Sequence, residues 1–426
     1  MDLSKILHAG LPLHQSSRNH GRPIAGRVVL VSVLAIVVAG LAVDVTRRRR
    51  ATEPLPSAAA GFELPSRIAE RADLQWAWQR RDVSSEVSLK KIQMLSKETG
   101  WSASYEGKLY RTSDAGQSWQ SVSLNVPQRA YMTDIFFVNP ESGWVALAKT
   151  DLDFDAASGK GVDDTATWIM RTSNGGRDWS QQLSREGAQV SHISFVDGQR
   201  GWAVGRTFGA AAPTNDSNLV LHTTDGGNSW TDLSKNVPDS GSGVAQLYGV
   251  NGPSASLLTD SGAFYRTVDD GETWRALEQF RDEPEQTSIR RVALTQNNRL
   301  RLLGGAWSNE GTWSIFANQA SDGAWIRYRL PGVYLSDALF LSDDSVIAGG
   351  FIDNSERVPS VGGREGLILY SSDLGKNWVV VYRDRNLPPV NALSTTDSKH
   401  IWAVGEAGLT LRLERPALTA SKTSSK

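Results

Sequence analysis

Five short segments hold the side chains from which an active site could be assembled. They read RTSDAGQSW (111–119), RTSNGGRDW (171–179), HTTDGGNSW (222–230), RTVDDGETW (266–274) and YSSDLGKNW (370–378). Each places a hydroxyl two residues before an acid or its amide, a glycine two residues after it, and a further polar residue ahead of an indole. An acid flanked by hydroxyls could serve as a general acid or base, or as a cation ligand. Fivefold repetition argues for another role. Asp, Ser and Thr side chains close turns by bonding to nearby backbone N–H groups, and glycine supplies the positive φ that such a turn needs. Asp114, Gly116 and Trp119, Asn174, Gly176 and Trp179, Asp225, Gly227 and Trp230, Asp269, Gly271 and Trp274, and Asp373, Gly375 and Trp378 are therefore expected to be structural turn residues. A shortened sixth copy, ASDGAW, ends at Trp325.

Other chemistries find less support. Cysteine is absent, which excludes disulfides and thiolate catalysis, and the six histidines show no His-x-x-x-His spacing. DLDFD at 151–155 has the alternating acids of a calcium loop but Ala156 where the turn glycine belongs, so it reads as a solvated acidic loop. The glycine-rich boxes lack the Gly-Lys-Ser/Thr of a phosphate cradle. With 45 basic and 46 acidic residues the net charge is −1, so no overall field recruits nucleic acid. No cofactor and no metal are expected, and no residue is singled out as catalytic.

The spacing of the boxes dictates the elements that carry them. Their tryptophans recur about every 52 residues, the size of one propeller blade. Upstream of each box lies a short apolar strand rich in small residues, as in GWSAS (100–104), GWVALA (143–148), GWAVG (201–205) and IWAVG (401–405). The pattern predicts seven four-stranded units, whose first strands run near Ile92, Ile135, Ile193, Leu247, Val292, Leu339 and Leu393. The last unit ends without a box or a fourth strand, leaving an open sheet edge. The segment LQWAWQRRDV, from Leu74, is expected to fill it. The fold class is thus an all-β seven-bladed propeller of four-stranded blades closed by an N-terminal strand, over residues 74–415.

The N-terminal part reads differently. After a tail of residues 1–27, the apolar run VVLVSVLAIVVAGLAV makes 28–45 a candidate single transmembrane helix, followed by a flexible linker at 46–73. Residues 416–426 are expected to be a disordered tail. Arg18, Arg22 and Arg27 precede the run and Arg47, Arg48, Arg49 and Arg50 follow it, a count that slightly favours a cytoplasmic propeller.

The boxes are similar to the Asp-box (BNR) repeats of sialidases. The compound pattern GWAVG…HTTDGGNSW resembles the photosystem II stability/assembly factor family, over about residues 74–415. That resemblance implies a seven-bladed propeller on the lumenal or periplasmic side, acting as a protein-binding scaffold for a membrane complex or its assembly intermediate. It outweighs the arginine count and puts the propeller on the periplasmic or extracytoplasmic side, tethered by one helix and monomeric. The alternative is a glycan-binding or glycoside-hydrolysing propeller. The sialidase pattern is incomplete, because neither SRIAER nor GRPIAG preserves its Arg-Ile-Pro strand.

If the protein binds a partner, loops on a rigid scaffold are the place to look. The turns between strands one and two share a face with the boxes, whereas the longer connections between strands two and three fall on the other. Arg206, Arg357 and Arg364 come from those connections, Arg290, Arg291, Arg383 and Arg385 from links between blades, and His192 is expected near the central channel. These eight are the expected partner-binding residues, since the guanidinium fork suits carboxylates.

Overall fold

The computed structural model describes residues 67–70 and 76–414, apart from 126, 128, 150–151, 156–159, 164, 209–216, 239–242, 281–287, 296, 298, 309–310, 354–362 and 385–386. The apolar run at 28–45 and the C-terminal tail lie outside them. Among the described residues no helix is long and apolar enough to cross a membrane.

Seven antiparallel sheets follow one another along the chain. Their innermost strands are Leu89–Met94, Tyr131–Phe137, Ala188–Phe195, Val244–Asn251, Ser288–Leu294, Val333–Phe340 and Val390–Thr395, and each touches the next, with the seventh returning to the first. Every strand-one position expected from the sequence falls inside one of them. Blade seven is completed by Trp78–Arg80, which pairs antiparallel with Thr410–Glu414 and supplies the missing outer strand. Ring closure is thus shared between the two ends of the repeat. DLDFD does not form the expected loop: Leu152–Asp155 pairs with Lys160–Asp163 in a small hairpin of its own. Ile68–Glu70, within the stretch read as linker, forms a strand on the edge of blade six.

The boxes explain how blades lock together. In all five, the glycine N–H donates to the first hydroxyl at 2.9 Å. The backbone N–H of the residue before the tryptophan donates to the acid or amide oxygen at 2.9–3.0 Å. Where the acid is replaced by Asn174, the next polar position becomes Asp178, and Asn174 Nδ2 donates to it at 2.8 Å; Asp373 and Asn377 keep the opposite arrangement. The donor and acceptor have traded places with the bond retained. Each box glycine has φ between +82° and +92°. A Cβ on Gly176 would lie 2.8 Å from the Trp101 ring of blade one, and one on Gly271 2.8 Å from Trp202 of blade three. The tryptophans of the small-residue strands therefore pack onto the next blade's box, and Trp144 Nε1 and Trp402 Nε1 donate to the Gly226 and Ala115 carbonyls there at 2.9 Å. Trp101, Trp144, Trp202 and Trp402 are buried. An indole removes roughly 200 Å² from water, worth about 5 kcal/mol before entropy, so these contacts outweigh the ~1 kcal/mol of any single turn hydrogen bond.

Arg111 and Arg171, the first residues of two boxes, bridge blades. Arg111 stacks over Trp101 and donates to the Gly175 carbonyl of blade two at 3.2 Å, and Arg171 stacks over Trp144 and reaches the Gly198 carbonyl of blade three at 3.2 Å.

Candidate functional site

All seven innermost strands carry a bulge at the same place. Lys90, Thr133, Ser191, Ala245, Arg290, Ser336 and Asn391 are the extra residues. A bulge interrupts the in–out alternation of a strand and re-aims the side chain that follows. It also forces close backbone approach: a Cβ on Gly205, Gly350 or Gly405 would overlap the carbonyl of Gln189, Tyr334 or Pro389 on the adjoining inner strand. The final glycine of the GWAVG strand is the sequence trace of the bulge.

The residues after the bulges meet their neighbours around the inner ring. Lys91 Nζ lies 3.2 Å from Asp134 Oδ1, and Asp134 Oδ2 lies 3.4 Å from His192 Nδ1 and accepts the Ile193 N–H at 3.1 Å. Arg291 Nε lies 2.7 Å from Asp337 Oδ1, and Asp337 Oδ2 accepts the Leu393 N–H at 2.9 Å. Burial pushes the Asp134 carboxyl upward, but Lys91 and the His192 hydrogen bond outweigh it and hold the acid well below the usual range. Burial likewise lowers the His192 imidazole, against the pull of Asp134, so the ring is neutral at pH 7. His192 lies on the innermost strand of blade three, held by an acid from blade two.

The opposite arrangement lies on the loop face, where cations and aromatics alternate. Lys90 Nζ sits 5.3 Å from the Tyr105 ring and 5.8 Å from that of Tyr131. Burial, reinforced by Lys91, lowers its pKa to about 8. Tyr105 is 48% exposed, yet desolvation in the concave surface, followed by Tyr334 and Glu406, raises its hydroxyl to about 12. On the blade-five and blade-six side, Trp307 (38% exposed), Tyr334 and Phe351 have ring centroids 5.1–6.3 Å apart. Arg364 lies over Trp307 and Phe351, and Arg290 lies 4.1 Å over Tyr334. Cations over aromatic faces gain on the order of 1 kcal/mol and present a flat amphipathic surface.

The expected arginines divide into supports and paired charges. Arg290 donates to the carbonyls of Leu335 (2.7 Å), Gly304 (2.7 Å) and Gly305 (3.1 Å), so its fork braces the bulge. Arg364 makes a two-pronged pair with Glu406 at 2.7 and 2.9 Å. Arg383 holds Glu365 at 2.7 Å and Glu70 at 2.6 Å, and Arg206 holds Asp260 at 2.6 Å. Arg357 and Arg385 lie outside the described residues. Tyr105, Trp307 and the bulged Lys90 were not singled out by sequence reasoning. Their only signal was position: each lies at or beside the connection between strands two and three or at the start of an inner strand.

The comparisons agree with this architecture. The family model for photosynthesis system II assembly factor YCF48 matches residues 146–297, from blade two into blade five. The chain resembles the photosystem II assembly factors. The photosystem II assembly lipoprotein Ycf48 of a Synechococcus species is 23% identical over 326 residues, 69% of this chain and 87% of that protein. The chloroplastic photosystem II stability/assembly factor HCF136 of Oryza sativa is 25% identical over 218 residues, 49% of this chain and 42% of its own length. Among solved structures, YCF48 bound to a D1 peptide matches with TM-score 0.56 at 15% identity, over 83% of this chain and all of that one. A xyloglucanase of glycoside hydrolase family GH74 from Xanthomonas campestris matches with TM-score 0.55 at 14% identity, over 78% of this chain and 53% of the enzyme. Likeness at that identity shows a shared fold.

Proposed function

We propose that this protein is a membrane-tethered, non-enzymatic propeller that docks a protein partner through its loop face during assembly of a membrane complex. The observation that carries the reading is the pair of exposed rings Tyr105 and Trp307, with Tyr334 half-buried and Phe351 buried beside Trp307, set among Lys90, Arg290 and Arg364. Exposed aromatics beside arginine are the usual anchors of protein interfaces. The similarity to assembly factors, one of them solved with a D1 peptide, supports a protein segment as the guest. Arg364 makes the direct polar contact by exchanging Glu406 for a partner carboxylate, with Arg206, Arg291, Arg383 and His192 at the margin and channel wall. Arg290 supports Tyr334 from behind; Arg357 and Arg385, outside the described residues, are kept in the proposed set from the sequence alone. The propeller acts as a monomer on the periplasmic or extracytoplasmic side, with residues 28–45 as the anchor, the stretch between it and the blade-six strand Ile68–Glu70 as linker, and 416–426 as tail.

Asp134 does not supply the acid that a hydrolytic reading needs. Glycosidases of two-carboxylate type need one carboxyl kept protonated, whereas Asp134 in the inner ring is held ionised by Lys91.

The test is a cross-linking pull-down from solubilised membranes of the native host. The intact protein is compared with a Tyr105→Ala/Trp307→Ala/Arg364→Ala variant whose melting temperature is measured in parallel. A defined membrane-complex subunit should be captured by the first and lost from the second. Equal capture by a folded variant would refute the site.

A further inference from the structure

Among the described residues, six blades have four strands and blade six has five. Its fourth strand, Trp378–Arg383, would be an outer edge with unpaired backbone groups. Instead Ile68, Ala69 and Glu70 pair with Trp378, Val379 and Val380 in parallel, and the Trp378 N–H donates to the Arg67 carbonyl at 2.8 Å. The other N-terminal strand, Trp78–Arg80, is antiparallel and completes a repeat position. The parallel strand fills no position that the repeat requires.

What holds it is a short pattern of side chains. Ile68 is 7% exposed, pairs with Trp378 and belongs to an apolar cluster that includes Phe316 and Leu330 of blade five and Trp378 and Val380 of blade six. Glu70 accepts from Arg383 Nη1 at 2.6 Å, and the Arg67 guanidinium lies 5.3 Å from the Tyr328 ring. Ala69 and Glu70 are exposed. One buried side chain and one rim ion pair must therefore offset the ordering of four residues, a balance that permits exchange.

We propose that the outer edge of blade six is a strand-accepting groove, occupied here by the chain's own Arg67–Glu70, which an extended partner segment can take over. The segment it fits has a cation, a β-branched apolar residue and, two positions after that, an acid. Backbone hydrogen bonds to an open edge supply sequence-independent affinity, and the side-chain seats supply selection, as in other β-augmentation sites. Release of the latch and capture of the partner are one exchange at one edge.

The absence of cysteine from the chain makes the test clean. A fluorescent peptide spanning residues 64–72 is titrated into the full-length protein, into Ile68→Asp, and into Ala69→Cys/Val379→Cys in oxidised and reduced forms. Ile68→Asp should bind at least 10-fold more tightly than the parent, the oxidised variant should not bind, and reduction should restore parental binding. A second peptide of unrelated sequence with Lys, Val and Asp at the three seats should also bind, whereas replacing its Val by Asp should abolish binding. Equal affinity of the oxidised and reduced forms would overturn the proposal, as would no gain on releasing the latch in a folded Ile68→Asp protein. The oxidised and reduced forms should share one fold, measured by near-ultraviolet circular dichroism, so that if Ile68→Asp unfolds, the difference between those two forms decides the outcome.

Discussion

The box face and the loop face of this propeller are built from opposite rules. On the box face the same hydrogen bonds recur five times at the same lengths, and each turn is backed by the neighbouring blade. On the loop face recurrence is only partial: the bulge residues Lys90 and Arg290 each lie over a tyrosine of the next blade, Tyr131 and Tyr334, but Arg290 also braces the Gly304 and Gly305 carbonyls and Arg364 grips Glu406. Repetition marks what the fold needs in blade after blade, and irregularity marks what it needs once. The stability of the molecule therefore resides in the boxes and the inner ring, and the proposed docking function assigns its specificity to the channel-mouth surface.

The largest effect that should expose this contrast comes from glycine. Gly176→Val would strain a backbone at φ +83° and drive a Cβ into Trp101, and should cost more than about 3 kcal/mol in urea unfolding. Arg364→Ala on the other face should cost less than about 1 kcal/mol, because its ion pair is half-exposed, yet weaken partner capture at least 10-fold. Equal losses of stability at the two sites would break the division of labour.

Next in size is the exchanged box. Asn174→Asp places two carboxylates where Asn174 now donates to Asp178, and should destabilise by about 1 kcal/mol. Adding Asp178→Asn should recover most of that loss, as Asp373 with Asn377 shows the mirrored pair to be compatible. A double variant no better than the single one would mean that the pair is not the relevant unit.

Acid should loosen the boxes only as pH falls below the ordinary carboxylate range. Hydrogen bonds from Ser229 and Thr223 lower Asp225 to about 2, and those from Thr273 and Thr267 do the same for Asp269. Because the folded-state values are depressed, their contribution is complete above the ordinary carboxylate pKa of 3.8 and is lost as pH falls through about 2. Amide exchange at Ser229 and Thr273, read by NMR, should accelerate between pH 4 and 2 beyond the intrinsic trend. The smallest effect concerns Lys90: with a pKa near 8 it should be acylated by a limiting anhydride at pH 8 ahead of ordinary lysines. Labelling no faster than that of Lys97 would contradict its desolvation.

Much of the scaffold was legible because its signals are local. A box occupies nine residues, and the missing fourth strand of the last unit pointed directly to the segment containing Trp78. The bulges left a glycine opposite them in four blades, Gly205, Gly304, Gly350 and Gly405, but Leu147 and Thr259 in blades two and four, and a one-residue register slip has no turn of its own to mark it. The site was less legible still. Whether Arg364 is open or paired depends on Glu406, 42 residues away, and Arg383 meets Glu70 across 313 residues. Arg67–Glu70 read as linker because a three-residue strand has no period to detect.

The central claim, that a protein partner docks on the loop face, is tested most directly by placing a photo-cross-linking benzophenone side chain at single positions. Tyr105 and Trp307 sample the channel mouth, and Asn228 and Lys376 sample the boxes. In host membranes the first two should cross-link to one subunit of a membrane complex and the second two should not; cross-links to that subunit from the box positions, with none from Tyr105 or Trp307, would contradict the account.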